Sequence, residues 1–143
     1  MRIQGTGKSE TITGTGGSDW INGGAGNDII DGGAGTDYLT GGKGADTFVF
    51  HEHSQYDIIT DFNAAEGDHV VLDFGGLTYD APIYSGTLWS GQAIETAAGT
   101  CYVNNVDING DGVMDTQLSM NGDNVFFLGM TADQLHGADI IGG

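Results

Sequence analysis

Glycine recurs at Gly5, Gly14, Gly23, Gly32 and Gly41, a strict period of nine. A repeat this short restricts the fold more than any other feature of the chain, because each unit can bury its apolar face only against its neighbours. The sixth place of each unit is acidic (Glu10, Asp19, Asp28, Asp37, Asp46) and the eighth is large and apolar (Ile12, Ile21, Ile30, Leu39, Phe48). The three units from Gly23 to Val49 follow G-G-x-G-x-D-x-U-x in full, where U is a large apolar residue. The unit from Gly14 has Thr15 at its second place. The unit from Gly5 has Thr6, Lys8 and Glu10 where Gly, Gly and Asp are expected.

Each unit divides into a turn and a strand. Six glycine-rich residues let the backbone take positive φ angles and aim its carbonyls inward. Carbonyl oxygens and one carboxylate per turn are the hard ligands that Ca2+ takes. The remaining x-U-x is a short strand whose middle side chain points inward while its neighbours point out. Two nonapeptides complete one coil, so an ion is expected between turns two repeats apart. Glu10 then faces Asp28, Asp19 faces Asp37 and Asp28 faces Asp46, which corresponds to three ions in the roll. The ligands expected are these acids with the backbone of Gly14, Gly17, Gly23, Gly24, Gly26, Gly32, Gly33, Gly35, Gly41, Gly42 and Gly44. Asp28 borders two such sites, and Asp19 and Asp46 border one each. Five buried U side chains are too few to offset the entropy of ordering the repeats, so calcium is expected to be part of the fold.

The composition agrees. The formal net charge is −17, and 16 Asp stand against 4 Glu, the short carboxylates of cation-binding loops rather than of a solvated Glu-rich tail. That charge disfavours nucleic acid and anionic membrane surfaces as partners. No stretch approaches the roughly 18 apolar residues of a membrane span. Met1 to Gly5 has no apolar h-region, so no cleavable signal peptide is expected. Cys101 is the single cysteine and cannot form an intrachain disulfide. It stands in a β-like run as a small buried hydrophobe.

The nonapeptide resembles the RTX (repeats-in-toxin) family. The resemblance implies an all-β fold, a parallel β-roll over residues 1–49 followed by a β-rich C-terminal cap over residues 50–143. It also implies calcium-triggered folding outside the cell and export through a bacterial type I secretion channel. In that family the sixth-place aspartate coordinates calcium together with backbone carbonyls, which carries over to Asp19, Asp28, Asp37 and Asp46. After the repeats, Asp57 to Phe62 and Asp68 to Asp73 alternate polar and apolar residues as half-buried strands do. Together they resemble the D-x-I-x-D-F…G-x-D-x-I-D-L-S segment of serralysin-type proteases and mannuronan epimerase R-modules. There the two aspartates of the first strand help to close the last calcium site, which makes Asp57 and Asp61 candidate ligands; the alternative is a pair of solvated strand-edge charges. Val71 and Asp73 replace the family's Asp and Ser, leaving the second strand a structural role.

A second oxygen-rich motif runs from Asp107 to Asp115. Asp107, Asn109, Asp111 and Asp115 occupy positions 1, 3, 5 and 9 of an EF-hand-like loop, with Gly112 at position 6 and Val113 offering its carbonyl at position 7. Position 12 is Leu118 and not Glu. The flanks, Thr100 to Val106 and Thr116 to Met120, are rich in Thr, Val and Tyr and read as a β-hairpin. The loop either binds calcium or is a turn of ordinary Asn, Asp and Gly chemistry. Further on, Asn124 to Leu128 reads as a strand and Thr131 to Leu135 as a short helical turn with a Thr N-cap.

No catalytic constellation is present. His51-Glu52-His53 has Gln55 where H-E-x-x-H needs its second His, and Gly7-Lys8-Ser9 has Arg2 where a phosphate loop needs its first Gly. His51 and His53 read as surface residues, and Met114, Met120 and Met130 as packing residues. The reading is a secreted, calcium-binding folding and secretion module with no active site. One alternative is the non-catalytic C-terminal part of a secreted metalloprotease, lipase or alginate epimerase. The other is a calcium-dependent adhesion or polysaccharide-binding module, disfavoured for polyanions because Arg2, Lys8 and Lys43 are the only Lys or Arg residues.

Overall fold

The computed structural model describes residues 1–51, 54–73, 86–96, 99–136 and 139–141. Its first four strands are β1 (Arg2–Gln4), β2 (Thr11–Thr13), β3 (Trp20–Asn22) and β4 (Ile29–Asp31), each three residues long. They are the x-U-x segments, and Ile12, Ile21 and Ile30 are the buried middle residues of β2, β3 and β4. Ile3 keeps the same phase, nine residues before Ile12, and packs partly buried against the core. The next two strands lengthen to five residues, β5 (Thr36–Thr40) and β6 (Thr47–His51). They are followed by β7 (Tyr56–Ile59) and β8 (His69–Asp73).

Successive strands alternate between two sheets. Odd strands pair in parallel, aligning Ile3, Ile21, Leu39 and Ile59, and even strands align Ile12, Ile30, Phe48 and Val70. The two apolar columns face each other and make one core. Stacking does not stop with the repeat at Val49: β7 and β8 form a fourth coil from non-repeating sequence. Leu39 aligns with Ile59 and Phe48 with Val70, offsets of 20 and 22 residues where the repeats use 18.

The rest of the chain extends the same sheets. Strands β9 (Gln92–Thr96), β10 (Gly99–Val106), β11 (Asp115–Met120) and β12 (Asp123–Phe127) form an antiparallel run. That run joins the roll because β12 pairs in parallel with β7. Strand β13 (Ile140–Ile141) adds to β8. The expected hairpin is thus β10–β11. The expected helical turn is a 3-10 turn at Ala132–Gln134, with a capping box between Thr131 and Gln134. Phe62 ties roll to cap, with its ring centroid 6.4 Å from Phe48 and 5.1 Å from Phe127. On the outer face, Trp20 stacks on Tyr38 at 4.5 Å and Arg2 lies 5.7 Å from the Trp20 ring.

Met120 and Met130 pack as expected, but Met114 is 49% exposed because it lies in the β10–β11 loop, outside the paired strands. His51 is no free surface residue: its two nitrogens meet Asp31 at 2.6 Å and Asp73 at 2.9 Å. His53 and the segment around Pro82 lie outside the described residues.

Candidate metal centre

The turns stack along one side of the roll and bring the acids into two columns. In the first, Asp28 Oδ1 accepts the N–H of Glu10, Asp46 Oδ1 that of Asp28, and Asp68 Oδ1 that of Asp46, each at 2.9 Å. In the second, Asp37 Oδ1 accepts the N–H of Asp19 at 2.8 Å, and Asp57 Oδ1 that of Asp37 at 3.2 Å. Acids two repeats apart therefore face each other, as the spacing predicts. Asp46 does not end its column, because Asp68 forms a further rung. Nothing in the nonapeptide announces Asp68. The signal available was the triplet D-x-U, which Asp68-His69-Val70 shares with Asp46-Thr47-Phe48 and Asp57-Ile58-Ile59.

Asp28, Asp37 and Asp46 are fully buried, and the Oδ2 atom of each has no hydrogen-bond partner. An unpaired buried carboxylate oxygen is costly unless a charge answers it. A Cβ at Gly23, Gly32 or Gly41 would run into that same oxygen of its own unit, so glycine is what leaves room there. Stacking is equally tight at Gly42, where a Cβ would meet the Gly24 carbonyl oxygen. Among the described residues no three His, Cys, Asp or Glu side chains converge on one point, so a cation here must draw further ligands from backbone carbonyls. Buried carboxylate oxygens beside stacked carbonyls are hard donors and fit Ca2+.

The electrostatics agree. Burial, with the neighbouring carboxylates Asp68, Asp28 and Asp61, pushes Asp46 up to about 6. Burial also raises Asp37, Asp57 and Asp68 above the usual carboxylate range. Glu10 and Asp19 are lowered instead, chiefly by the backbone N–H groups of Thr6 and Thr15. Asp61 plays a different part from Asp57: its two oxygens accept the N–H groups of Gly41 at 2.9 Å and Gly42 at 2.8 Å, pinning the last glycine turn.

The Asp107–Asp115 loop joins β10 to β11, and the oxygens of Asp107, Asn109 and Asp111 are turned on its own backbone. Asp107 accepts from Gly110 and Gly112, Asn109 from Asp111, and Asp111 from Val113. Asp115, buried, accepts from Ile108 at 3.2 Å and Gly129 at 2.7 Å. Cys101 is buried and its thiol is pushed up to about 12 by that burial, which makes it unreactive.

The model for the RTX calcium-binding nonapeptide repeat matches residues 4–39 and 13–48. Over nearly its whole length the chain is similar to the AlgE6R3 subunit of the Azotobacter vinelandii mannuronan C5-epimerase. Identity is 31%, the match covers 98% of this chain and 76% of that one, and the TM-score is 0.68. The chain belongs to the RTX calcium-binding repeat family. The AlgE6R2 subunit of the same organism's epimerase is also similar to this RTX module, at 29% identity and a TM-score of 0.55, covering 98% of this chain and 91% of that one. No curated protein matches the chain. As an RTX module it has the parallel β-roll expected of it, and its repeats are calcium-binding repeats.

Proposed function

We propose that this calcium-binding RTX module is a folding device for export. Its repeats stay extended where calcium is scarce, pass a type I secretion channel in that state, and close into the roll outside the cell. The observation that carries this reading is the set of buried, unpartnered oxygens on Asp28, Asp37 and Asp46. They make the closed roll unfavourable until a cation answers them. When bound, Ca2+ supplies positive charge and six to eight oxygen-ligand positions, with affinities on the order of 10⁻⁴–10⁻³ M in extracellular modules. The chain supplies carboxylates in register, glycines that let the turns touch, and a cap whose strands continue the sheets and protect the last coil from fraying. Asp57 closes the second column and Asp61 holds the last glycine turn.

The module carries no active site of its own and serves a larger secreted protein. The likeness to subunits of a mannuronan epimerase supports that setting. The test is an ion count by calorimetry, combined with far-UV circular dichroism in EGTA and in calcium. A full β spectrum in EGTA would remove the basis for calcium-driven closure.

A further inference from the structure

The second place of the nonapeptide divides the five turns into two kinds. In the units from Gly23, Gly32 and Gly41 that place is glycine. The second and fourth residues have φ of +95° and +95°, +86° and +106°, and +88° and +112°. The second-place N–H is drawn away from the unit's own aspartate. Gly24 donates to Asn22 at 3.0 Å, Gly33 to Asp31 at 3.0 Å and Gly42 to Asp61 at 2.8 Å. That leaves Oδ2 of Asp28, Asp37 and Asp46 buried with no donor.

In the units from Gly5 and Gly14 the second place is threonine, and none of Thr6, Lys8, Thr15 or Gly17 takes a positive φ. Here the N–H and the hydroxyl both go to the unit's own acid. Thr6 places its N–H at 2.5 Å and its hydroxyl at 2.8 Å from Glu10 Oε1. Thr15 does the same to Asp19 Oδ2 at 2.6 and 2.9 Å. Each hydroxyl in turn accepts an N–H two residues on, from Lys8 and Gly17 respectively, both at 3.2 Å. The other oxygen of Asp19, Oδ1, is buried without a hydrogen-bond partner and lies 3.1 Å from the nitrogen of Met1, 18 residues earlier, so the two kinds of turn differ at Oδ2.

We propose that the second-place residue decides whether a turn takes a cation, and that Thr6 and Thr15 make their turns metal-free, with Glu10 and Asp19 held as hydrogen-bond acceptors and not as calcium ligands. Threonine does this in two ways. Its β-branched side chain resists the left-handed backbone that the glycine turns adopt. Its hydroxyl and N–H put two charge-assisted hydrogen bonds on the oxygen that elsewhere has none. A cation entering such a turn would have to displace both bonds and rebuild the backbone. The roll is then a hybrid: its first two turns are set by hydrogen bonds alone, and its next three require a cation.

The inference rests on the calcium reading of Asp28, Asp37 and Asp46, and its test separates the two. Bound calcium is counted by calorimetry on the whole chain and on three variants. Asp19→Asn is expected to bind as many ions as the parent, with a calcium midpoint within about twofold of the parent value. Thr15→Gly, which admits positive φ and removes the hydroxyl, is expected to gain one ion. Asp37→Asn is expected to lose one. Loss of an ion in Asp19→Asn, or an unchanged count in a folded Thr15→Gly, would overturn the proposal. An unchanged count in Asp37→Asn would instead overturn the calcium reading beneath it.

Discussion

The backbone N–H of Asp46 donates to Oδ1 of Asp68 at 2.9 Å, the bond that Asp28 makes to Asp46 one coil earlier. The pair is 22 residues apart where the repeat pairs are 18, a difference of four. The longer connection contains the 3-10 turn Ala64–Glu66 and Gly67 at φ +103°. The second oxygen of Asp68 accepts the N–H of Asn63 at 2.9 Å. The cap thus begins with a carboxylate set as though the repeat had continued.

Asp68→Ala strands two donors at once, the buried Asp46 N–H and that of Asn63. A lost partner for a buried group costs about 1–3 kcal/mol. The variant is expected to unfold at lower urea than the parent in saturating calcium and to need more calcium to fold. A calcium midpoint equal to the parent's would mean that the Asp68 rung contributes nothing to calcium-driven closure.

Removing calcium tests the roll as a whole. In EGTA the β-signal of the repeats is expected to be lost, and ~10 mM calcium, chosen to exceed the weak affinities of extracellular modules, should restore it. Magnesium at the same concentration should not restore it, because it demands a tight octahedral shell and gives up water reluctantly. Equal recovery in magnesium would show that simple charge neutralisation closes the roll.

The raised carboxylates set a pH dependence. Burial holds Asp46 at about 6 in the folded, cation-free roll against 3.8 for an ordinary aspartate, so that form keeps a proton the unfolded chain releases. Its stability is therefore greatest at low pH and falls as pH rises through about 6. Calcium competes with that proton. Where the closed, cation-free form is populated, the calcium midpoint is expected to rise as pH drops below about 6, by up to about tenfold per pH unit for one proton displaced per ion; a chain opened by EGTA carries Asp46 as an ordinary carboxylate. Calcium titrations followed by circular dichroism between pH 5 and 8 measure this. A flat midpoint across that range would mean that Asp46 gives up no proton on binding.

Periodicity made the apolar columns and the facing acids legible, because a nine-residue unit with its strand phase fixed leaves one way to stack. The fourth coil was hidden for the same reason. Offsets of 20 and 22 residues break the period, and only the triplets around Asp57 and Asp68 keep its local form. The parallel pairing of β12 with β7 was illegible, since Val125 and Phe126 read as any strand and nothing local says which sheet edge receives them. Thr6 and Thr15 were visible as departures from the repeat. What they do depends on where a hydroxyl points, and periodicity does not carry that.

The Asp107–Asp115 loop allows the sharpest division between a turn and a cation site. Every side-chain oxygen used there is matched to a main-chain N–H: Asp107 to Gly110 and Gly112, Asn109 to Asp111, and Asp111 to Val113. Such bonds shape turns without metal, and Leu118 stands where an EF-hand loop has its bidentate Glu. Asp111 is exposed, so Asp111→Ala is expected to leave the ion count unchanged and to shift stability by no more than ~0.5 kcal/mol. Asp115 is another matter. It is buried and joins the loop to Gly129 beyond β12, so Asp115→Ala removes the acceptor of the Ile108 and Gly129 N–H groups and should cost about 0.5–1.5 kcal/mol for each bond lost. Urea denaturation and a calorimetric ion count on both variants measure this. One ion fewer in Asp111→Ala would make the loop a calcium site and not a turn.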